Sequence, residues 1–308
     1  MKVVIISDPH ANLEAVSAFP ESCDELRCGH PAVPALRRVL YERDPSGIFE
    51  SRCDAVKALA AIGAREILLE FLEAPHDVAD PVARLGEEAV INAAARALIG
   101  LHTEEFYELL TRIAQRQFLS GVIEALADFR RRETIPILVA ALAEDFSRAE
   151  AEEGLRKLGS SGREALVEAA RSQDPSPEWQ SPSSLRRRRS ALQLLLEIGA
   201  DFSHWSRLRS LISDNDPMLA LLACKLCLSS GDAGDKPAAL QRLILLLPGA
   251  DWFLAAEIED CLVQNFPEAR EFVDRALKNS SNPSEETGGD MRLFRTLHRV
   301  KARAEAAM

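Results

Sequence analysis

Few side chains in this sequence stand at spacings that could do chemistry. Near the start, the β-branched run Val3-Val4-Ile5-Ile6 leads into Ser7-Asp8-Pro9-His10. An Asp-x-His pair at the end of a strand can deliver two metal ligands, but two are too few to hold and activate a metal pair. Cys224-x-x-Cys227 has the spacing of a redox or zinc half-site. It lies inside an apolar stretch with no second pair and no histidine nearby in sequence, so structural cysteines are expected. The six histidines are scattered at spacings unlike any metal motif. No serine, histidine and aspartate with mutual support can be named, and no catalytic residue or cofactor is expected. Gly231-Asp232-Ala233-Gly234 and Gly288-Gly289 have no strand before them and read as turns, not phosphate loops.

Binding chemistry is easier to place than catalysis. Arg186 to Arg189 is the densest positive run, and Arg186 is a candidate for an acidic peptide or phosphate. Four consecutive residues point all round a helix, so only one or two of them can face a common ligand. Trp179, in the Pro/Ser-rich stretch before that run, is a candidate partner anchor. Near the end, Leu293, Phe294, Leu297 and Val300 fall on one side of a helix, with Arg292, Arg295, Arg299, Lys301 and Arg303 opposite. That pattern suits a capping helix over a final apolar face.

Composition narrows the classes further. A net charge of −11 argues against an extended nucleic-acid or anionic-membrane surface, since both need concentrated Lys and Arg. The six cysteines have no disulfide-scaffold spacing, which suits a reducing cytoplasm. No run approaches the roughly 20 apolar residues that span a bilayer, and the apolar stretch after Lys2 is too short for a signal peptide. A protein or peptide partner is therefore expected, with neither nucleic acid nor membrane.

The elements that position these groups follow from the pattern around Ser213-Asp214-Asn215-Asp216-Pro217. Asp216 can cap a helix and Pro217 fits its first position, where an N–H would go unused. The following stretch, Met218 to Leu228, is apolar on nearly every side and must be covered by several neighbours. Neighbours exist. A core with small or apolar residues at positions 1, 4, 5 and 8 starts at Ala55, Ala94, Val122, Ala151, Ala191, Ala223 and Ile258. Position 9 is Gly63, Gly159, Gly199 or Gly231 in four copies, where positive φ ends a helix at little cost. Successive starts are about 34 residues apart, the range of helical-pair solenoids.

On the Asp44-Pro45 and Asp216-Pro217 pairs and the Ala-x-x-Ala-Leu-x-x-Ile-Gly core of 55–63, the chain resembles HEAT repeats, including the short bacterial HEAT-like form. The resemblance implies an all-α superhelix of about seven to eight helical hairpins over 31–278. A linker over 279–289 and an amphipathic helix over 290–308 follow. The arginine that such repeats place early in the second helix is expected only at Arg52, Arg148 and Arg186, so any Asp–Arg ladder would be partial. Residues 1–30, with Asp8 and His10, resemble the opening of calcineurin-like metallophosphoesterases. The expected Gly-Asp is Gly29-His30 here, and no Gly-Asn-His or Gly-His-x-His follows. This segment reads as a remnant of such a domain.

With positions 1, 4, 5 and 8 buried, positions 3 and 7 of each core point outward, and in HEAT-like folds those second helices line the concave side. The middle of the row, Glu124, Asp128, Glu153 and Glu197, is acidic. The sequence thus favours a non-catalytic cytoplasmic interaction scaffold for a partner with basic side chains. A bilin lyase or isomerase, which some HEAT-like proteins resemble, is the alternative; residual phosphoesterase activity at Asp8 and His10 ranks below it.

Overall fold

The computed structural model describes residues 32–43, 48–173, 181–280 and 288–307. Every regular element among them is helical, and none of the helices is long and apolar enough to cross a membrane. The fold class is the all-α solenoid of hairpins that the sequence implies. The chain divides into two compact units, Met1–Leu98 and Ile99–Met308. The strand expected at 3–6 and the Asp44-Pro45 pair lie outside the described residues.

The first unit holds α1 (Val33–Tyr41), α2 (Glu50–Ala61), α3 (Arg65–Glu73) and α4 (Pro81–Ala97). Here α2 packs on α1, α3 and α4. The sequence pattern places 76–81 in an insertion and starts the last helix near Glu87. In fact Asp80 caps that helix, accepting from the Ala83 amide at 2.7 Å, with Pro81 in the first turn. This places Glu87 mid-helix, facing Arg52 at 2.7 Å with both side chains buried. Arg52 also donates to the Leu40 carbonyl, and Arg43 and His76 complete the cluster around the carboxylate. Both His76 ring nitrogens face acceptors, the second being the Phe71 carbonyl at 2.8 Å.

The second unit runs α5 (Glu104–Arg116), α6 (Ser120–Asp128), α7 (Ile135–Ala141), α8 (Arg148–Leu158), α9 (Arg163–Arg171), α10 (Pro182–Ile198), α11 (Phe202–Leu208), α12 (Pro217–Ser230), α13 (Lys236–Leu246), α14 (Trp252–Gln264), α15 (Phe266–Ser280) and α16 (Gly288–Ala307). The second helices stack in order: α6 on α8, α8 on α10, α10 on α12, α12 on α14 and α14 on α16. Their partners α7, α9, α11, α13 and α15 form the other layer. In every copy the position-1 residue is buried, as is position 5: Leu59, Leu98, Leu126, Leu155, Leu195, Cys227 and Leu262. Each such leucine contributes roughly 1.5–3 kcal/mol of burial. α12 follows its pattern closely. Asp216 accepts from the Leu219 amide at 2.9 Å, and Pro217 opens the helix. Between Leu219 and Leu228 only Lys225 escapes burial, and the helix packs against α10, α11, α13 and α14.

Glycine ends the helices as expected at Gly63, Gly159 and Gly199, all with positive φ. Gly231 differs: its φ is −79°, and it is small because a Cβ would stand 2.5 Å from the Cys227 carbonyl oxygen. The matching position after α6 is Arg130, held at φ 51° without a glycine. Of the residues expected in a linker over 279–289, α15 takes in those up to Ser280 and α16 those from Gly288. Leu297, Val300 and Ala304 of α16 are buried against α14 and α15, and Arg299, Lys301 and Arg303 pair with Glu259, Asp274 and Asp260.

Candidate functional site

The outward row on the second helices is built by the same periodicity that buries the core. Burying Val122, Ala125 and Leu126 of α6, and Ala151, Gly154 and Leu155 of α8, turns Glu124 and Glu153 toward solvent. The two helices come unusually close at Gly154, where a Cβ would stand 2.7 Å from that of Ala127. The close approach leaves a shallow groove of about 250 Å³, lined by Glu124, Ala127, Ala149, Glu150, Glu153 and Lys157. Its charged rim is three carboxylates against one ammonium.

The expected site residues divide sharply. Glu153 is exposed, with Arg156 at 3.5 Å and Lys157 at 3.7 Å as its neighbours along α8. Asp128 is engaged locally: it accepts from the Gly100 amide at 3.1 Å and from His102 at 2.9 Å, fastening the approach to α5. Glu197 receives Arg156 at 2.7 Å and Gln193 at 3.0 Å, which ties α8 to α10. The hydrogen bond from Arg156 is the main cause that holds its carboxyl below the usual range. Among the four acids, Glu124 and Glu153 are the two that line the groove.

Arg186 donates to the Ala143 carbonyl at 3.0 Å and lies 3.3 Å from Asp145, so it joins α10 to the end of the preceding hairpin. Arg188 and Arg189 are structural too. Arg188 is fully buried, with its Nε on the Ala170 carbonyl at 2.9 Å and its Nη2 on Asp214 at 2.6 Å. Arg189 forks onto Asp216, the cap of α12. Arg52 makes the same pair of contacts in the first unit, one backbone carbonyl of its own hairpin and one acid of the next hairpin. Sequence reasoning missed Arg188 and looked two residues early. The available signal was phase: Arg52, Arg148 and Arg188 each precede a core start by three residues. Arg148, at that phase, pairs only with Asp145 among the described residues.

Trp179, Asp8 and His10 lie outside the described residues. Among the described residues no group of three His, Cys, Asp or Glu side chains is placed to hold a metal ion. Burial pushes the Cys224 and Cys227 thiols up to about 12 and Cys261 to about 11, so all three are protonated packing groups.

No family model matches the chain, and no curated protein does. A solved structure described as an engineered protein is similar at 15% identity, covering 97% of this chain and 86% of that one, with a TM-score of 0.37. At that level the likeness carries no argument about fold or function.

Proposed function

We propose that this chain is a non-catalytic interaction scaffold of HEAT-like repeats that binds a cytoplasmic protein or peptide presenting basic side chains. The observation that supports this reading is the groove between α6 and α8, where Glu124, Glu150 and Glu153 line one shallow, solvent-open surface. Paired α-helices with a buried Ala/Leu spine hold such a row rigidly, so a partner binds without ordering the surface first. Glu197 ties neighbouring hairpins, Asp128 fastens the approach to α5, and both contribute to the field of the row. Glu124 and Glu153 line the groove itself and are placed for direct contact.

The test is a pull-down from the source organism with wild type and with Glu124→Lys/Glu153→Lys, followed by titration of the proteins that differ. The reading expects a partner whose affinity falls roughly tenfold on charge reversal and also falls with added salt. Unchanged affinity for every partner recovered removes it.

A further inference from the structure

Trp252 and Phe253 begin α14 on the surface: they are 79% and 48% exposed, and their rings meet edge to face at 5.9 Å. The other described tryptophan, Trp205, is fully buried with its Nε1 donating to Asp235. The exposed Trp–Phe pair thus presents to solvent a side chain that the same fold elsewhere buries and satisfies.

Exposed Asp251, next to the pair, is the cap that accepts from the Leu254 amide, and the basic side chains come from α16. α14 and α16 run parallel, since Arg303 meets Asp260 toward their C-terminal ends while α16 also packs on the turn Leu247–Gly249 that enters α14. Arg303 and Arg299 meet Asp260 and Glu259 of α14, and Arg295 and Arg292 continue the same stripe of α16 toward its N-terminus. Met291, 44% exposed, is one turn on from Arg295. From Met291 to Ala304 the helix contains no acidic residue. Arg299, Lys301 and Arg303 are neutralised by Glu259, Asp274 and Asp260. Arg292 and Arg295 are exposed and have no acidic partner among the described residues.

We infer that the N-terminal ends of α14 and α16 form a second docking surface, on which Trp252 and Phe253 anchor an acidic amphipathic peptide and Arg292 and Arg295 meet its carboxylates. Apolar anchors flanked by guanidinium groups without an acidic partner among the described residues match a segment with one apolar and one acidic face. The sign is opposite to that of the groove between α6 and α8, so the two surfaces select different partners. This inference stands independently of that groove.

The test uses the full chain and a short fluorescein-labelled helical peptide with Leu and Phe on one face and Glu on the other. Controls are the same peptide with Lys for Glu, and phosphatidylcholine vesicles with and without phosphatidylserine. Fluorescence anisotropy is expected to show binding of the acidic peptide. Trp252→Ala and Arg295→Glu should each weaken it roughly tenfold, while Arg295→Lys retains most of it. Glu124→Lys/Glu153→Lys should leave this probe unaffected. The exposed positions of Trp252 and Arg295 keep the variants folded, which circular dichroism checks. The inference is overturned if the acidic peptide fails to bind, if the lysine peptide binds as well, or if the variants bind like wild type. Tighter, Trp252-dependent binding to phosphatidylserine vesicles would overturn it too, in favour of a lipid surface.

Discussion

Replacing Arg188 by methionine isolates what holds one hairpin to the next. The guanidinium is wholly buried and Asp214 nearly so, with side-chain exposures of 0% and 4%. Removing it leaves a buried carboxylate without its charge partner and the Ala170 carbonyl without the Nε donor. Breaking one side of a buried pair in this way costs about 3–5 kcal/mol. Arg189→Met is the matched control: its side chain is 42% exposed, and an ion pair that open to solvent is worth about 1 kcal/mol or less. Adding Asp214→Asn to Arg188→Met neutralises the stranded charge while keeping an oxygen for the Asp216 amide, so the double variant should regain about 1–2 kcal/mol. Urea titrations followed by far-ultraviolet circular dichroism compare the four proteins. Arg188→Met costing no more than Arg189→Met, or no recovery in the double variant, would refute the reasoning.

Four further outcomes are expected. Gly154→Ala forces a methyl group against Ala127 and Leu138 and should cost about 1–3 kcal/mol, read as a lower melting temperature that Ala127→Gly partly restores. Arg130→Gly relieves a left-handed residue and should stabilise by roughly 1 kcal/mol in the same assay. Burial would raise the Glu87 carboxyl, but hydrogen bonds from His76, Arg52 and Arg43 outweigh it and hold the group far below its ordinary 4.5. A depressed folded-state value means stability that is present above that ordinary value and lost as pH falls below it. Acid titration should therefore destabilise wild type more steeply than Glu87→Gln, which has already lost the contribution at neutral pH. Finally, iodoacetamide at a pH of about 8 should leave Cys224, Cys227 and Cys261 unmodified in the folded protein, as read by mass spectrometry of each site.

The parts of the fold written in local signals were legible. The Asp216-Pro217 cap, the phased cores and the left-handed glycines each act within one turn of chain, so composition and period expose them. Arg188 was not, because its partners arrive from the end of α9 and the loop before α12, 18 and 26 residues away. A run of four arginines on an acidic chain looks like a solvated helix start; only packing reveals that its members reach back to Ala143 and Ala170 and forward to Asp214 and Asp216. The same holds for Asp128 and Glu197, which share the outward phase of Glu124 and Glu153 but do not line the groove and bind His102 and Arg156 instead. Phase says which way a side chain leaves the helix, not who waits there. The exposed Trp252 was equally hidden, since a tryptophan at a helix start is usually a packing group.

The central claim is that the second unit is a stack of hairpins held by contacts between neighbours, so damage stays local. Hydrogen-exchange mass spectrometry of Arg188→Met tests it most directly. Protection should fall in α9 to α12, around the broken clamp, and persist in α5 and α6 and in the second half of α14. An even loss of protection from Ile99 to the end of the chain would contradict it.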